Sequence, residues 1–164
     1  MRAAAPAVCE SLTNTRPKSW RRWSLVNSFW RRVVAGGALW AVVYNLVWGV
    51  AWFAFMREEW RGAAAAIRRP LPWTAEVWFV WVVLTIPIGV AIMAYAAGRG
   101  RTVLRAALSA SAVIWLLFAV ALSVHGVAES YSFRVLALDA SVNLVGMLAG
   151  SLVGTWSLRA VPPN

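Results

Sequence analysis

The feature that most constrains this chain is a series of four long apolar segments that hold almost no charged residue. The first, residues 33–56, contains 24 residues without Asp, Glu, Lys or Arg. At a rise of about 1.5 Å per residue such a helix is about 36 Å long, which exceeds the ~30 Å hydrocarbon core of a bilayer. Three later segments, residues 77–97, 103–124 and 135–158, are also long enough to cross. The sequence therefore predicts an all-α polytopic membrane protein with four transmembrane helices.

Short connectors between these segments predict how the helices are arranged. Residues 57–74, 98–101 and 125–133 join consecutive segments. Such short links bring neighbouring helices together in opposite directions. We therefore expect an antiparallel four-helix bundle over residues 33–160, and a disordered basic tail over residues 1–17.

The stretch just before the first span has an amphipathic pattern. Over residues 18–32, Trp20, Trp23 and Trp30 fall on one helical face, and most of the arginines and serines fall opposite. A basic helix with an aromatic face is typical of a helix that lies in the plane of an anionic leaflet. The sequence predicts an interfacial amphipathic helix here, with the lipid bilayer and its anionic headgroups as partners.

Two local patterns bear on the shape of the helices. Trp60, Ala64 and Ile67 recur at helical spacing in the first connector, where a short helix and an irregular loop are both compatible with the sequence. In the second span, Pro87 removes a backbone donor and predicts a kink, with Thr85 placed to bond a freed carbonyl. This kink is either a hinge or a static bend.

Composition excludes several classes of function. Of the 164 residues 61% are hydrophobic, and the net charge of +10 comes from Lys and Arg that flank the apolar segments, so nucleic-acid binding is not expected. With one cysteine and one histidine, the chain alone cannot form a Cys-based redox pair, a bis-His haem site or an HExxH zinc site. We expect no cofactor and no metal. No nucleophile with a partnered base is recognisable, so nothing indicates an enzyme.

The distribution of Lys and Arg predicts the orientation. Eleven of these residues lie before the first span, in or next to the second connector, or at the C-terminus. The other five lie in or next to the first and third connectors. Positive charge is retained on the cytoplasmic side of membrane proteins. We therefore expect a multi-pass protein of the cytoplasmic (cell) membrane with both termini inside.

A stripe of polar and small residues runs along the fourth span. Asp139, Asn143, Gly146, Gly150 and Gly154 are spaced by four, three, four and four residues. At ~100° per residue they fall within about 80° of arc. Small residues let helix backbones approach closely in lipid, so this Gly-zipper face is predicted to pack against protein.

The first span offers a matching stripe. Gly37, Ala41, Asn45 and Gly49 repeat every four residues. We expect the first and fourth helices to cross here, with a hydrogen bond between Asn45 and Asn143. Alternatively, either stripe packs against a second copy of the chain or another membrane subunit.

Ionisable residues supply the remaining candidates. Asp139 lies four residues inside its predicted span, where it is either a helix-end charge, paired or hydrated, or a site for a proton or cation. His125, Glu129 and Glu76 lie on the outer side of the predicted topology. They form either a pH-responsive or metal-binding outer site or a set of solvated loop charges.

Two functions follow from these patterns. The first is a non-catalytic packing, accessory or assembly subunit that binds through its Gly-zipper face. The second is a small proton- or cation-coupled transporter or channel in which Asp139, Asn143 and Asn45 line a polar path.

Overall fold

The structure, a computed structural model, describes residues 18–71 and 73–158. The predicted basic tail over residues 1–17 lies outside the described residues, as do Arg159 and the C-terminal end. The backbone of residues 18–32 is helical, but the side chains of residues 18–25, which carry half of the predicted amphipathic pattern, also lie outside what the structure describes.

Every regular element among the described residues is helical. They follow in the order α1 (Lys18–Ala51), a π-helical turn (Trp52–Met56), α2 (Arg57–Ala66), α3 (Ala75–Ala97), a 3-10 turn (Gly100–Thr102), α4 (Val103–Ala128), α5 (Phe133–Gly154) and a 3-10 turn (Thr155–Leu158). Four helical stretches, Val26–Ala66, Ala75–Ala97, Val103–Ala128 and Phe133–Leu158, are long and apolar enough to cross a membrane. The prediction of an all-helical chain with four such helices is confirmed.

The first helical stretch continues beyond the predicted span. The backbone N–H of Arg57 donates to the carbonyl of Trp52, five residues earlier, which is the hydrogen bond of a π-helix. The chain then continues directly into α2, where Trp60 and Ala64 are buried. Of the two alternatives for the first connector, the helix applies to Arg57–Ala66, and only the residues after it form the turn to α3.

Two hydroxyl side chains define where helices begin. Thr74 Oγ1 accepts from the backbone N–H of Val77 at the start of α3, and Ser132 Oγ accepts from that of Val135 at the start of α5, both at 3.5 Å. Such caps satisfy backbone donors that have no partner within the helix. They fix the points at which the chain re-enters the bundle.

The long helices form a bundle in which α1, from Arg32 onward, packs against both α3 and α5. Consecutive helices α3 and α4, and α4 and α5, are neighbours, as their short connectors require. Ser157 Oγ donates to the carbonyl oxygen of Arg32 at 3.3 Å. The start of the first membrane-length segment and the end of the last one therefore lie at the same end of the bundle.

The glycine face of α5, Gly146 with Gly150 and Gly154, lies against α1. A Cβ atom added to Gly154 would lie 2.8 Å from the carbonyl oxygen of Gly36, and one added to Gly150 would lie 2.9 Å from that of Trp40. At Gly146 the same atom would lie 3.0 Å from the Tyr44 ring. At Gly150 and Gly154 alanine requires movement of one of the two helices, whereas at Gly146 a shift of the Tyr44 ring by a few tenths of an ångström is enough.

The matching stripe on α1 is not the one predicted from the sequence. A Cβ atom on Gly37 would meet the backbone of Val90 in α3 at 2.5 Å, and one on Gly49 would have nothing within 4 Å. The residues that meet the glycines lie one position earlier, about 100° away on the helix. The reason is steric, because Gly146 and Gly150 on α5 accommodate large rings on α1, whereas the prediction paired small residues with small residues throughout.

This arrangement predicts opposite effects of the same substitution at two glycines. Gly150→Ala should lower the free energy of unfolding by about 1–3 kcal/mol, because its methyl group collides with the Trp40 backbone. Gly49→Ala should be neutral or stabilise by up to ~1 kcal/mol, because alanine favours the helix and meets open space. Unfolding of the detergent-solubilised protein measures both. Equal destabilisation by the two variants would contradict the observed contacts.

Candidate functional site

Four aromatic residues form a ladder on one face of the first helical stretch. Trp40, Tyr44, Trp48 and Trp52 are four residues apart, and all four are buried. The rings of Trp40 and Tyr44 stack with centroids 5.2 Å apart, and those of Trp48 and Trp52 with centroids 5.3 Å apart. Three of them direct a ring N–H or O–H toward α5. The ladder thus supplies both packing and hydrogen-bond donors.

Asp139 lies at the centre of the polar contacts, with only 1% of its surface exposed. Its Oδ1 accepts from Asn143 Nδ2 at 2.7 Å and from Trp48 Nε1 at 3.4 Å. Its Oδ2 is buried and has no hydrogen-bond partner in the described part of the protein. Arg134, the nearest basic residue in sequence, pairs with Glu59 instead. Asp139 is therefore a buried carboxyl group without an ion-pair partner among the described residues.

Asn143 links α5 to α1 by hydrogen bonds. Its Nδ2 donates to the backbone carbonyl of Asp139 at 2.8 Å as well as to the carboxylate, and its Oδ1 accepts from the Tyr44 hydroxyl. Both ends of the amide are thus satisfied inside the bundle. An asparagine on α5 can do this only because the Tyr44 ring lies against Gly146, one turn away.

A second polar cluster lies further along α5. Trp40 Nε1 donates to the carbonyl oxygen of Met147 and to Ser151 Oγ, both at 3.2 Å. Ser151 Oγ also lies 2.7 Å from Ser111 Oγ on α4. This cluster connects three helices. The two clusters together place Asp139, Asn143 and Ser151 in one line along α5.

Asn45 belongs to a different interface. Its Nδ2 donates to Thr85 Oγ1 on α3 and to the carbonyl oxygen of Ala41, both at 2.8 Å. The predicted hydrogen bond between Asn45 and Asn143 is therefore wrong. Adjacent residues on a helix point about 100° apart, so when Tyr44 faces α5, Asn45 faces α3.

The proline region of α3 is helical throughout. α3 runs without interruption from Ala75 to Ala97 and includes Pro87. Thr85 is buried, and its Oγ1 donates to the carbonyl oxygen of Val82 at 2.7 Å while it accepts from Asn45. Thr85 therefore links α3 to α1. A hinge at this position stays a prediction.

The three candidates for an outer site, Glu129, Glu76 and His125, do not form one cluster. The carboxylate of Glu129 pairs with Arg69, and the side chains of Glu76 and His125 are exposed. Across residues 18–71 and 73–158, no group of three His, Cys, Asp or Glu side chains is arranged to hold a metal ion.

A tryptophan cap covers the Asp139 end of the bundle. It consists of Trp52, Trp73 and Trp78 around Trp48, with centroids of Trp48 and Trp78 only 4.4 Å apart. Trp73 and Trp78 thus pack on the buried rings of Trp48 and Trp52 in the first helical stretch.

Sequence reasoning missed Trp40, Tyr44, Trp48 and Ser151. Their signal was present, because aromatic residues with polar edges recur every four residues on the first span. A similar spacing links Asp139 and Asn143 to Ser151. What the sequence did not reveal is that these two series face each other.

One oxygen of the Asp139 carboxylate thus has no hydrogen-bond partner among the described residues, and the side chains that bond its other oxygen are neutral donors. Among the described residues that surround Asp139, no side chain is a nucleophile activated by a partnered base.

The hydrogen bond between Tyr44 and Asn143 can be measured by a double-mutant cycle. Tyr44→Phe, Asn143→Leu and the double variant should give a coupling energy of about 0.5–2 kcal/mol in detergent unfolding experiments. Tyr95→Phe is the matched control, because Tyr95 is half exposed and its hydroxyl accepts from Arg99 in a neighbouring turn. Coupling near zero would show that the hydroxyl contributes nothing to the association of α1 and α5.

Comparison with known proteins adds no relative. No protein family model, no curated protein and no solved structure matches this chain.

Proposed function

We propose that this chain is a four-span membrane protein that serves as a non-catalytic packing, accessory or assembly subunit. Its outer surface supports insertion into a bilayer. Large apolar side chains are exposed on every long helix, among them Leu46, Phe79, Leu117 and Val145. A contiguous apolar exterior of this kind is unfavourable in water and suits contact with lipid or with other membrane helices.

The separation of the polar residues carries this proposal. A transport path would need Asp139, Asn143 and Asn45 along one passage, but Asn45 contacts α3 whereas the other two contact α1. The polar side chains instead bond neighbouring helices to each other. Such an interior is that of a rigid scaffold.

The glycine face is occupied by α1 of the same chain, so a partner would use another surface. The outer face of α4 is the best candidate, because this helix is the least buried of the four membrane-length stretches. Val113, Leu117, Val120 and Val124 recur there at helical spacing and are all exposed. A second copy of the chain or another membrane subunit is the expected partner, and anionic headgroups would contact the helix at residues 18–32.

The proposed orientation places both termini in the cytoplasm of a cell bounded by its cytoplasmic membrane. It is supported by the excess of Lys and Arg at one end of the sequence topology. It also agrees with the contact between Ser157 and Arg32, which places the start of the first span and the end of the last one at the same end.

Cysteine labelling tests both insertion and orientation. In a Cys9→Ser background, Ser130→Cys in the α4–α5 connector should react with an impermeant maleimide on intact cells. Gly98→Cys, in the α3–α4 connector, should react only after the membrane is permeabilised. The reverse pattern would contradict the orientation, and recovery of the protein in the soluble fraction would contradict insertion.

One observation favours a second candidate, a small proton- or cation-coupled transporter or channel. Asp139 is an ionisable residue inside a predicted span, and its Oδ2 has no partner in the described protein. Such residues are functional candidates by default, because the cost of burying them has to be compensated.

Liposome flux measurements distinguish the two candidates. The packing subunit predicts that the purified protein raises neither proton nor potassium flux above that of empty liposomes. The transporter predicts flux that falls at least tenfold in Asp139→Asn and is unchanged in Glu76→Gln, whose carboxylate is exposed. Flux with this dependence would overturn the packing proposal.

The assembly role has a positive readout in the same membranes. A photo-crosslinking amino acid at Leu117, on the outer face of α4, should form a protein adduct of defined mass. The same amino acid at Phe79, which is exposed on α3, is the control. Absence of any protein adduct at Leu117 would contradict assembly through α4.

A further inference from the structure

An apolar groove lies on the outer surface where the π-helical turn passes α5. Its volume is about 280 Å³. The residues that line it come from the first helical stretch and from α5: Val47, Ala51, Phe55, Ser141, Val142 and Val145. A groove of this composition suits a hydrocarbon chain.

A larger and more polar depression adjoins this groove. Phe55 lines both, and the second depression has a volume of about 650 Å³. It is open because Gly62 and Ala63 present little side chain, and it is bordered by the carboxylates of Glu58 and Glu59. The apolar groove and the charged depression therefore meet at Phe55, close to the point where the uncharged run of the sequence ends.

In this depression the acidic side chains are part of the lining and the basic side chains lie next to them. Glu58 and Glu59 line it, whereas the arginines that pair with them do not. Arg61 lies 2.7 Å from Glu58, and Arg134 lies 2.5 Å from Glu59. A bound headgroup thus meets carboxylates first, with guanidinium groups next to them. Both acids are partly accessible to an additional donor.

We infer that the groove binds one phospholipid with a phosphoethanolamine headgroup. An acyl chain fills the apolar part, the primary ammonium donates to Glu58 and Glu59, and the phosphate lies toward Arg61 and Arg134. A primary ammonium has three N–H donors for the carboxylates, whereas a choline headgroup has none. A glycerol headgroup carries the same phosphate but has no ammonium that could donate to Glu58 and Glu59.

This inference rests on the proposed membrane insertion. It adds a ligand and a selectivity that a bilayer-spanning bundle would not have by itself. The cysteine labelling at Ser130 and Gly98 tests insertion independently, so failure of insertion and failure of lipid selectivity are separate results.

Native mass spectrometry of the detergent-purified protein tests the site. We expect one phosphatidylethanolamine to be retained at least tenfold better than phosphatidylglycerol or phosphatidylcholine with the same acyl chains. The double variant Glu58→Gln/Glu59→Gln should lose this preference. Glu76→Gln, with an exposed carboxylate elsewhere, should keep it. Retention of phosphatidylglycerol equal to that of phosphatidylethanolamine would overturn the assigned headgroup.

A matched pair of serines tests the position of the acyl chain. Ser141, which lines the groove, and Ser123, on the exposed side of α4, each donate to the carbonyl four residues earlier at 2.7 Å. Ser141→Trp should fill the groove and abolish the adduct, whereas Ser123→Trp should keep it. Val145→Trp blocks the same groove if Ser141→Trp does not yield folded protein.

Three outcomes would overturn the inference. They are retention of the lipid by both groove-filling variants, loss of the lipid in Ser123→Trp to the same extent, and a protein dimer that replaces the lipid adduct and disappears in Ser141→Trp. The last result would assign the groove to a second copy of the chain.

Discussion

The bundle depends on the close approach of the aromatic face of α1 to the glycine face of α5. The glycines leave room for Trp40 and Tyr44 to lie against the α5 backbone, and this brings the polar edges of the rings to Asn143 and Ser151. Away from water, a ring N–H or hydroxyl without a partner is costly, so the approach is favourable only when those partners are present. Apolar packing and polar pairing are therefore two results of one contact between helices, and α4 joins it through Ser111.

Much of the fold follows from sequence alone, because long uncharged segments and short connectors leave few alternatives to four helices. The interior is harder to predict. Two stripes on α1, about 100° apart, both have a four-residue repeat, and only the structure identifies which of them meets α5. The glycine-containing stripe is the one predicted to pack against α5, because small residues often pair with small ones in helix contacts. In the structure Gly150 instead packs against Trp40, and Asn45 donates a hydrogen bond to Thr85. Periodicity gives the face of a helix but not the identity of its neighbour.

The candidate functional residues were likewise only partly predictable from the sequence. Asp139 could be chosen from the sequence because a carboxyl group inside an apolar segment is unusual. Its neighbours could not be chosen in this way, because they lie on a helix that is almost a hundred residues away in the sequence. Trp48 contacts Asp139 directly, and Tyr44 contacts it through Asn143. The structure also separates Asn45 from this group, and it places Glu58 and Glu59 beside an apolar groove that no sequence pattern indicated. Three-dimensional proximity, and not residue type, decides which polar residues act together.

The π-helical turn resolves a problem of phase along the first helical stretch. Trp48, Trp52, Met56, Trp60 and Ala64 are spaced by four residues, and all are buried. In a regular α-helix each such step advances about 40° around the axis, so the last of them would face almost away from the first. A wider turn between Trp52 and Met56 holds more residues and offsets this drift. One local irregularity thereby keeps a single inward line of side chains over several turns, so that α2, beyond the uncharged run of the sequence, shares the interior of the bundle.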